Sequence, residues 1–446
     1  MTWDVDGMVM LVGIAAAVAC ALPGIFLVVR GMGLMGDAIS HAVLPGIVIG
    51  FLLSGSRESV WMFLGAAVAG VAAAMMTQLL HRVGRVERGA AMGTVFTIFF
   101  SVGLVLMVQT ADSVDIDPHS VLYGAIELVP LDTFSMSLGG VIAPVELPQA
   151  MLPILVVLAV SVVIIALLWK ELRLANFDPA LARTLGFNAD VLLQLIMVLT
   201  AATCVACFEA VGSVMTVTFI VAPAATALLL SRRLLVVAVL SVVFAAAAAV
   251  LGHIAAIHVP GWFFGEGLDT SSSGMMAVAA GALFAVAVLV SPQRGIVSRQ
   301  LAIRRLVSTV AREDALGLLY RLLERGESTL DGDVRQLLRG DVRIGPRRVH
   351  RVLQLLQRRS LAVCEASQWT LTDEGRREAS GLVRAHRLWE TYLATRSDVP
   401  LSHLHTAAER LEHVTDAALA GALEQEVGGA TTDPHGREIP GDESRE

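Results

Sequence analysis

Residues 234–256 read LLVVAVLSVVFAAAAAVLGHIAA, with no Asp, Glu, Lys or Arg among them. At ~1.5 Å of rise per residue, a helix of this length spans the ~30 Å hydrocarbon core of a bilayer. Hydrocarbon offers backbone N–H and C=O groups no partner, so a run of this kind must pair them internally, as a helix. Comparable runs lie near 8–29, 37–54, 60–80, 90–109, 150–169, 191–208, 211–230 and 274–291. Together they predict an all-α polytopic membrane protein with about nine transmembrane helices. The stretch 191–230 suffices for two crossings, and its expected break is FEAVGS, where Glu209 and Gly212 interrupt it.

Composition agrees. Of 446 residues 55% are hydrophobic and 16% charged, which excludes an ordinary soluble protein. The apolar runs end near residue 295, and residues 296–446 are dense in Arg, Glu and Asp, so the main domain boundary falls there. The net charge of -7 averages two unlike parts and says little about partners. The first run is long and is expected to be retained as a span rather than removed as a signal peptide. Arg82, Arg85 and Arg88, then Lys170, Arg173 and Arg183, then Arg232 and Arg233, then Arg294 and Arg299 cluster between alternate spans. The positive-inside rule makes these segments cytoplasmic. The segment 111–149, with Asp112, Asp115, Asp117, Glu127, Asp132 and Glu146, then lies outside, as does the N-terminus, and residues 296–446 lie inside. Cys20, Cys204, Cys207 and Cys364 are scattered, which argues against a disulfide framework, and the C-x-x-C of Cys204 and Cys207 reads as helix packing.

One apolar run opens with chemistry that hydrocarbon tolerates poorly: GDAISHAVLPG, residues 36–46. An ionised Asp inside a span costs about 2.5–3.5 kcal/mol on insertion scales, so Asp37 needs a partner, a wet cavity or a task. His41, four residues on, shares its helix face. Carboxylate and imidazole together suit zinc, manganese or ferrous iron better than calcium. A structural hydrogen-bonded pair and a proton-linked site are the alternatives, and Asp37 read only as a helix N-cap leaves His41 without a role. Pro45 and Gly46 are expected to loosen the helix nearby.

These residues carry a resemblance. RGMGLMGDAISHAVLPGIVIGF (30–51) resembles the signature of membrane permeases of ABC importers for zinc, manganese and iron, and VGSVMTVTFIVAPAATALLL (211–230) resembles a second segment of that family. The resemblance implies a complex of two permeases, identical copies or paralogues, and two ATPases, fed by an extracytoplasmic metal-binding protein in a bacterial inner membrane. It implies Asp37 and His41 in the metal path. ANFDPALARTLGF (175–187) resembles the helix that docks on the ATPase, which places the coupling role on Asp178, Pro179, Ala182, Arg183 and Gly186. No G-x-x-x-x-G-K-[ST] occurs, so ATP hydrolysis falls to a separate subunit and the chain is read as a transport component, not an enzyme. No H-E-x-x-H occurs either, which sets aside an intramembrane metalloprotease.

In the tail, EDALGLLYRLLERG (313–326) and GPRRVHRVLQLLQRRS (345–360) have helical spacing, and LAVCEASQWTLT (361–372) alternates like a hairpin. That is the winged-helix order. The expected division is a permease domain at 1–295, a linker at 296–312, a winged helix at 313–376, a helical metal-binding and dimerisation domain at 377–430 and a flexible tail at 431–446. His386, Glu390, His405, Glu409, Glu412 and His413 fall within 28 residues on two predicted helices, a spacing that gathers ligands for a divalent ion. HRLWETYL, RLEHV and TTDPHGREIP resemble the metal-responsive repressors of the iron and manganese regulator family. That resemblance carries ligand roles to those six residues and to Asp314. Glu409 stands where iron-type members have cysteine, which is closer to the manganese type, and Gly317 stands where that type has a further acid. Arg347, Arg348, Arg351, Arg358 and Arg359 offer contacts to DNA phosphates, although a membrane tether hinders any search of a chromosome.

The reading is a manganese permease, with zinc or iron next, carrying a cytoplasmic metal sensor. A degenerate oligomerisation module is another reading of the tail. A membrane-anchored metal-dependent transcriptional regulator is the alternative for the whole chain.

Overall fold

The computed structural model describes residues 3–54, 59–110, 124, 126–131, 133–136, 145–265, 270–292, 295–340, 342, 345–397 and 400–441. The chain divides into two compact units, Met1–Arg299 and Gln300–Glu446.

The first unit is a helical bundle. Its elements are α1 (Trp3–Val29), α2 (Met35–Ala42), α3 (Leu44–Ser54), α4 (Ser59–Val83), α5 (Arg88–Thr110), α6 (Met151–Leu167), α7 (Trp169–Phe177), α8 (Pro179–Thr184), α9 (Ala189–Leu230), α10 (Leu234–Phe264) and α11 (Ser272–Val290). Among the described residues eight helices are long and apolar enough to cross a bilayer, or nine if the pair α6 and α7, bent by 73°, forms one span. Helix α9 is central and packs on α1, α2, α4, α6, α10 and α11. Its expected break is present at Gly212, whose φ of 75° and ψ of 170° leave the helical region. Two buried threonines of α9 donate to their own helix: Thr200 to Ile196 O and Thr216 to Gly212 O, at 2.8 and 2.7 Å. Cys207 faces Cys20 of α1 at 3.8 Å, both buried, in agreement with a packing role.

Two details depart from the sequence reading. A short antiparallel pair, β1 (Thr133–Met136) and β2 (Val145–Pro148), lies in the segment read only as an acidic connection, with Phe134 opposite Leu147. Asp112, Asp115, Asp117 and Asp132 lie outside the described residues. The second detail is an addition at Gly46: the helix breaks at Val43 beside Pro45 and Gly46, as expected, and Gly46 also lets α3 approach α4. A Cβ on Gly46 would lie 2.1 Å from Gly65 O, and one on Gly65 would lie 2.2 Å from Gly46 O. Small residues four apart, here Gly46 and Gly50, permit this backbone contact between membrane helices.

The second unit begins within α12 (Ile296–Arg325), one helix where a linker was expected over 296–312. Then follow α13 (Asp331–Gly340), α14 (Pro346–Arg358) and a hairpin of β3 (Ala362–Glu365) with β4 (Gln368–Leu371) in antiparallel register, Ala362 opposite Leu371. The helices bury Leu319, Leu338, Leu353 and Leu356 against Trp369 of the hairpin. Trp369 Nε1 donates to Asp331 Oδ1 at 2.9 Å, which satisfies the one polar atom that this ring would otherwise bury. Helices lie over both stretches read as helical and a hairpin over the alternating stretch, with α13 between the two as a helix the sequence reading did not include.

Next come α15 (Asp373–Arg396), α16 (Leu401–Leu411), a single 3-10 turn at Glu412–Val414 and α17 (Ala417–Glu426). Thr372 caps α15 by accepting from Gly375 N–H, and Asp416 caps α17 by accepting from Leu419 N–H. Residues 431–441, expected to be flexible, instead form a turn held on α15. Asp433 Oδ1 accepts from the N–H groups of His435 and Arg437, and buried Arg387 makes a bidentate pair with Glu324 and donates to Glu438 O.

Candidate functional site

Helix α2 sorts its residues by face. Met35, Ile39 and Ala42 are buried, whereas Asp37 is exposed and His41 is half-buried. His41 Nε2 lies 3.5 Å from Asp37 Oδ1. The imidazole is flanked by two rings of α5, Phe96 and Phe100, with centroids 5.2 and 5.5 Å away. Helix α2 starts at Met35 and no side chain caps it, so Asp37 stands inside the first turn and is not the N-cap. Among the described residues, this pair gains no third His, Cys, Asp or Glu ligand from its own chain.

The segment read as an ATPase contact is built as a short capped helix. Asp178 Oδ1 accepts from Leu181 N–H at 2.9 Å, and Pro179 opens α8, where its missing N–H costs nothing. At the other end Gly186 takes φ +88°, its N–H reaches Arg183 O, and Phe187 N–H reaches Ala182 O: a Schellman closure. Ala182 is buried with Ala175 and Ala189, which leaves Phe177, Leu181 and Leu185 exposed. Arg183 pairs with Asp190 at 3.2 Å, and Asp190 also pairs with Arg82.

The tail gathers most of its predicted ligands. His386 and Glu390, one turn apart on α15, meet His405 of α16: His386 Nε2 is 3.1 Å from Glu390 Oε1 and 2.9 Å from His405 Nδ1, and His405 Nδ1 is 3.1 Å from the same carboxylate oxygen. His386 and Glu390 are buried, and His405 is open to solvent. Two imidazole nitrogens this close approach the ~3.3 Å edge of a tetrahedron built on zinc–nitrogen bonds of ~2.0–2.1 Å, so the donors fit a small divalent ion. A second group joins Asp314 of α12 to Glu412 and His413. His413 Nε2 lies 3.1 Å from Asp314 Oδ1, and its Nδ1 lies 2.9 Å from Glu313 Oε2. Glu412 serves both groups, with Oε2 2.5 Å from His386 Nδ1 and Oε1 3.9 Å from His413 Nε2. Glu409 joins neither group. Glu313 and Arg321 were not among the predicted site residues. The first was visible as a carboxylate next to Asp314, whereas the position of the second needed the fold.

Protons balance these carboxylates in the metal-free protein. Burial lowers the His386 imidazole, but hydrogen bonds to Glu390 and Glu412 outweigh it and raise the group to about 9. Asp314 raises His413 to about 9, against burial and with help from Glu313. Burial works to raise Glu390, yet His386 and His405 hold it well below the usual carboxylate range.

The model of the ABC 3 transport family matches residues 6–291. The chain belongs to that family. The model of the iron dependent repressor, metal binding and dimerisation domain matches residues 372–441 of this ABC 3 protein, which include His386, Glu390, His405, Glu412 and His413 but not Asp314. The zinc transport system membrane protein TroD of Treponema pallidum is 38% identical over 298 residues, 67% of this chain and 77% of TroD. A probable metal transport system membrane protein of Chlamydia trachomatis is 28% identical over 438 residues, 94% of this chain and 92% of its own, so that match runs through both units. Among solved structures, PsaBC from Streptococcus pneumoniae in complex with Fab has a TM-score of 0.52 at 26% identity, covering 67% of this chain and 94% of the PsaBC chain.

Proposed function

We propose that this ABC 3 protein is the permease subunit of an importer that moves a divalent transition metal, Mn²⁺ first and Zn²⁺ or Fe²⁺ next, across a bacterial inner membrane. The observation that carries this is the Asp37–His41 pair on the exposed side of α2, a carboxylate and an imidazole 3.5 Å apart beside Phe96 and Phe100. A second permease, copy or paralogue, supplies the other side of the path. Two weak half-sites suit transport, because an ion held loosely on each side is released. A relative named for zinc transport and the PsaBC likeness support the reading. A separate ATPase docks at α8 through Phe177, Leu181 and Leu185, and an extracytoplasmic binding protein delivers the ion. Manganese uptake into proteoliposomes that hold the complete complex tests this. Asp37→Ala with His41→Ala abolishes uptake while the complex still assembles; undiminished uptake removes the pair from the path.

The tail is a cytoplasmic metal sensor that regulates transport. Its two groups offer three carboxylates and three imidazoles, a mixed set that suits Mn²⁺, Zn²⁺ or Fe²⁺. Arg347, Arg348 and Arg351 on exposed positions of α14 support a second reading, a membrane-held regulator of transcription. A gel shift of the full chain in detergent micelles with duplex DNA, with and without Mn²⁺, separates the two, because a sensor that acts only on transport shifts nothing.

A further inference from the structure

The two groups of the tail differ in their donors: His386, Glu390 and His405 offer two imidazoles and one carboxylate, and Asp314, Glu412 and His413 offer two carboxylates and one imidazole. Asp314, Glu412 and His413 converge from α12 and the 3-10 turn, and Glu313 already takes the far side of His413. Arg321 lies on the same helix as Asp314, two turns on. Its guanidinium folds back over buried Gly317: a Cβ on Gly317 would meet Arg321 Nη2 and Nη1 at 3.6 and 3.7 Å, with no closer neighbour. There it lies in the electrostatic field of Glu412, Glu409 and Asp314, which oppose the effect of its burial. Among the described residues no carboxylate oxygen comes within 4.0 Å of it in an ion pair, so its charge acts on the whole group and not on one partner. Glycine at 317 is what makes the seat. A longer side chain there would occupy the space the guanidinium fills, and a carboxylate would seize it directly.

We propose that Arg321 is a resident cation for the Asp314–Glu412–His413 group, so that the tail takes one divalent ion, at His386–Glu390–His405, and excludes a second. An arginine keeps its charge across the physiological pH range and cannot diffuse away. A divalent ion brought beside it meets strong repulsion at short range in a partly desolvated pocket. In the first group the exposed member, His405, gives an ion a way in.

This inference rests on the metal-sensing reading of the tail. Its test counts manganese bound per chain, by equilibrium dialysis with radioactive Mn²⁺, on the full-length protein in detergent with Asp37→Ala and His41→Ala present throughout to silence the transport pair. One equivalent is expected, falling to none with His386→Ala. Arg321→Met, which keeps the bulk of the stem and deletes the charge, is expected to bind two, and Arg321→Lys one. Two equivalents in the Arg321 protein overturn the inference alone and need no further variant to fold. One equivalent in an Arg321→Met protein whose melting temperature is unchanged also overturns it. No bound manganese at all overturns the sensing reading, and this inference falls with it.

Discussion

Arg30 Nε donates to Asn176 Oδ1 at 2.8 Å, and its Nη2 donates to the carbonyl of Ala175. Arg30 follows the last residue of α1 and begins the segment that leads into α2, while Asn176 is the penultimate residue of α7. Asp178, two residues on, caps α8. One guanidinium therefore ties the strand of chain that carries Asp37 to the strand that carries the proposed ATPase contact.

Removal of that tie is expected to separate ATP hydrolysis from transport. Hydrogen bonds to a charged group contribute about 1.5–3 kcal/mol each, so Arg30→Ala should lower uptake about tenfold or more while the assembled complex keeps its basal ATPase rate. Parallel assays of phosphate release and metal uptake on one preparation decide it. Equal loss of both, or of neither, counts against the tie.

Gly46→Val should destabilise the first unit. The new Cβ would stand 2.1 Å from Gly65 O, a contact with backbone that no rotamer relieves. Overpacking of this kind costs about 1–3 kcal/mol or more. Gly93→Ala, where a Cβ meets nothing within 4 Å, is the control and should leave the melting temperature in detergent unchanged.

The tail should respond to pH in opposite senses with and without metal. His386 and His413 are raised from 6.5 to about 9 on folding, so the stability they contribute is full below 6.5 and is lost as pH rises through about 9. Glu390 is lowered from 4.5, so its contribution is full above 4.5 and is lost only in strong acid. The metal-free tail should therefore melt highest between about pH 4.5 and 6.5. Metal ligands must shed protons, so Mn²⁺ affinity should climb between pH 6.5 and 9, by about tenfold per unit for each proton displaced. Melting curves and manganese titrations at pH 6, 7 and 8.5 test both halves. Parallel pH trends for the two would refute the assignment of His386 as protonated in the metal-free state.

Arg387→Ala should release residues 431–441 from α15. The substitution leaves Glu324 without its bidentate partner, Asp433 beside a lost charge and the Glu438 carbonyl unpaired. Breaking a buried pair from one side costs about 3–5 kcal/mol. Limited proteolysis should then cut at Arg437 in the variant and not in the parent. Arg387→Lys is expected to rescue little, because an ammonium cannot reproduce the fork.

Hydropathy made the bundle legible because hydrocarbon imposes one demand on every span. It located the break at Gly212, where a charged residue and a glycine coincide. Asp37 and His41 stood out for the same reason, as groups that the surroundings penalise. The ligands of the tail were legible through i,i+4 spacing on α15, but the division into two groups was not. That division depends on how α12, α15 and α16 meet, and Glu409 falls out of both groups despite sharing a predicted face with Glu412. The break beside Pro45 and Gly46 was legible, but the close approach of Gly46 to Gly65 was not, because that contact lies on another helix. The order at 431–441 was hidden because its anchor, Arg387, sits on a helix 46 residues before Asp433 and looks from sequence like one more surface arginine.

A carboxylate whose two oxygens are engaged in opposite directions has no free rotation left. Glu412 is such a group, with one oxygen on His386 and the other toward His413. Whatever draws Oε2 off its imidazole must turn the whole plane, and the turn reaches α12 through His413 and Asp314. One carboxylate thus stands between the His386 pocket and the Asp314–His413 contact on α12.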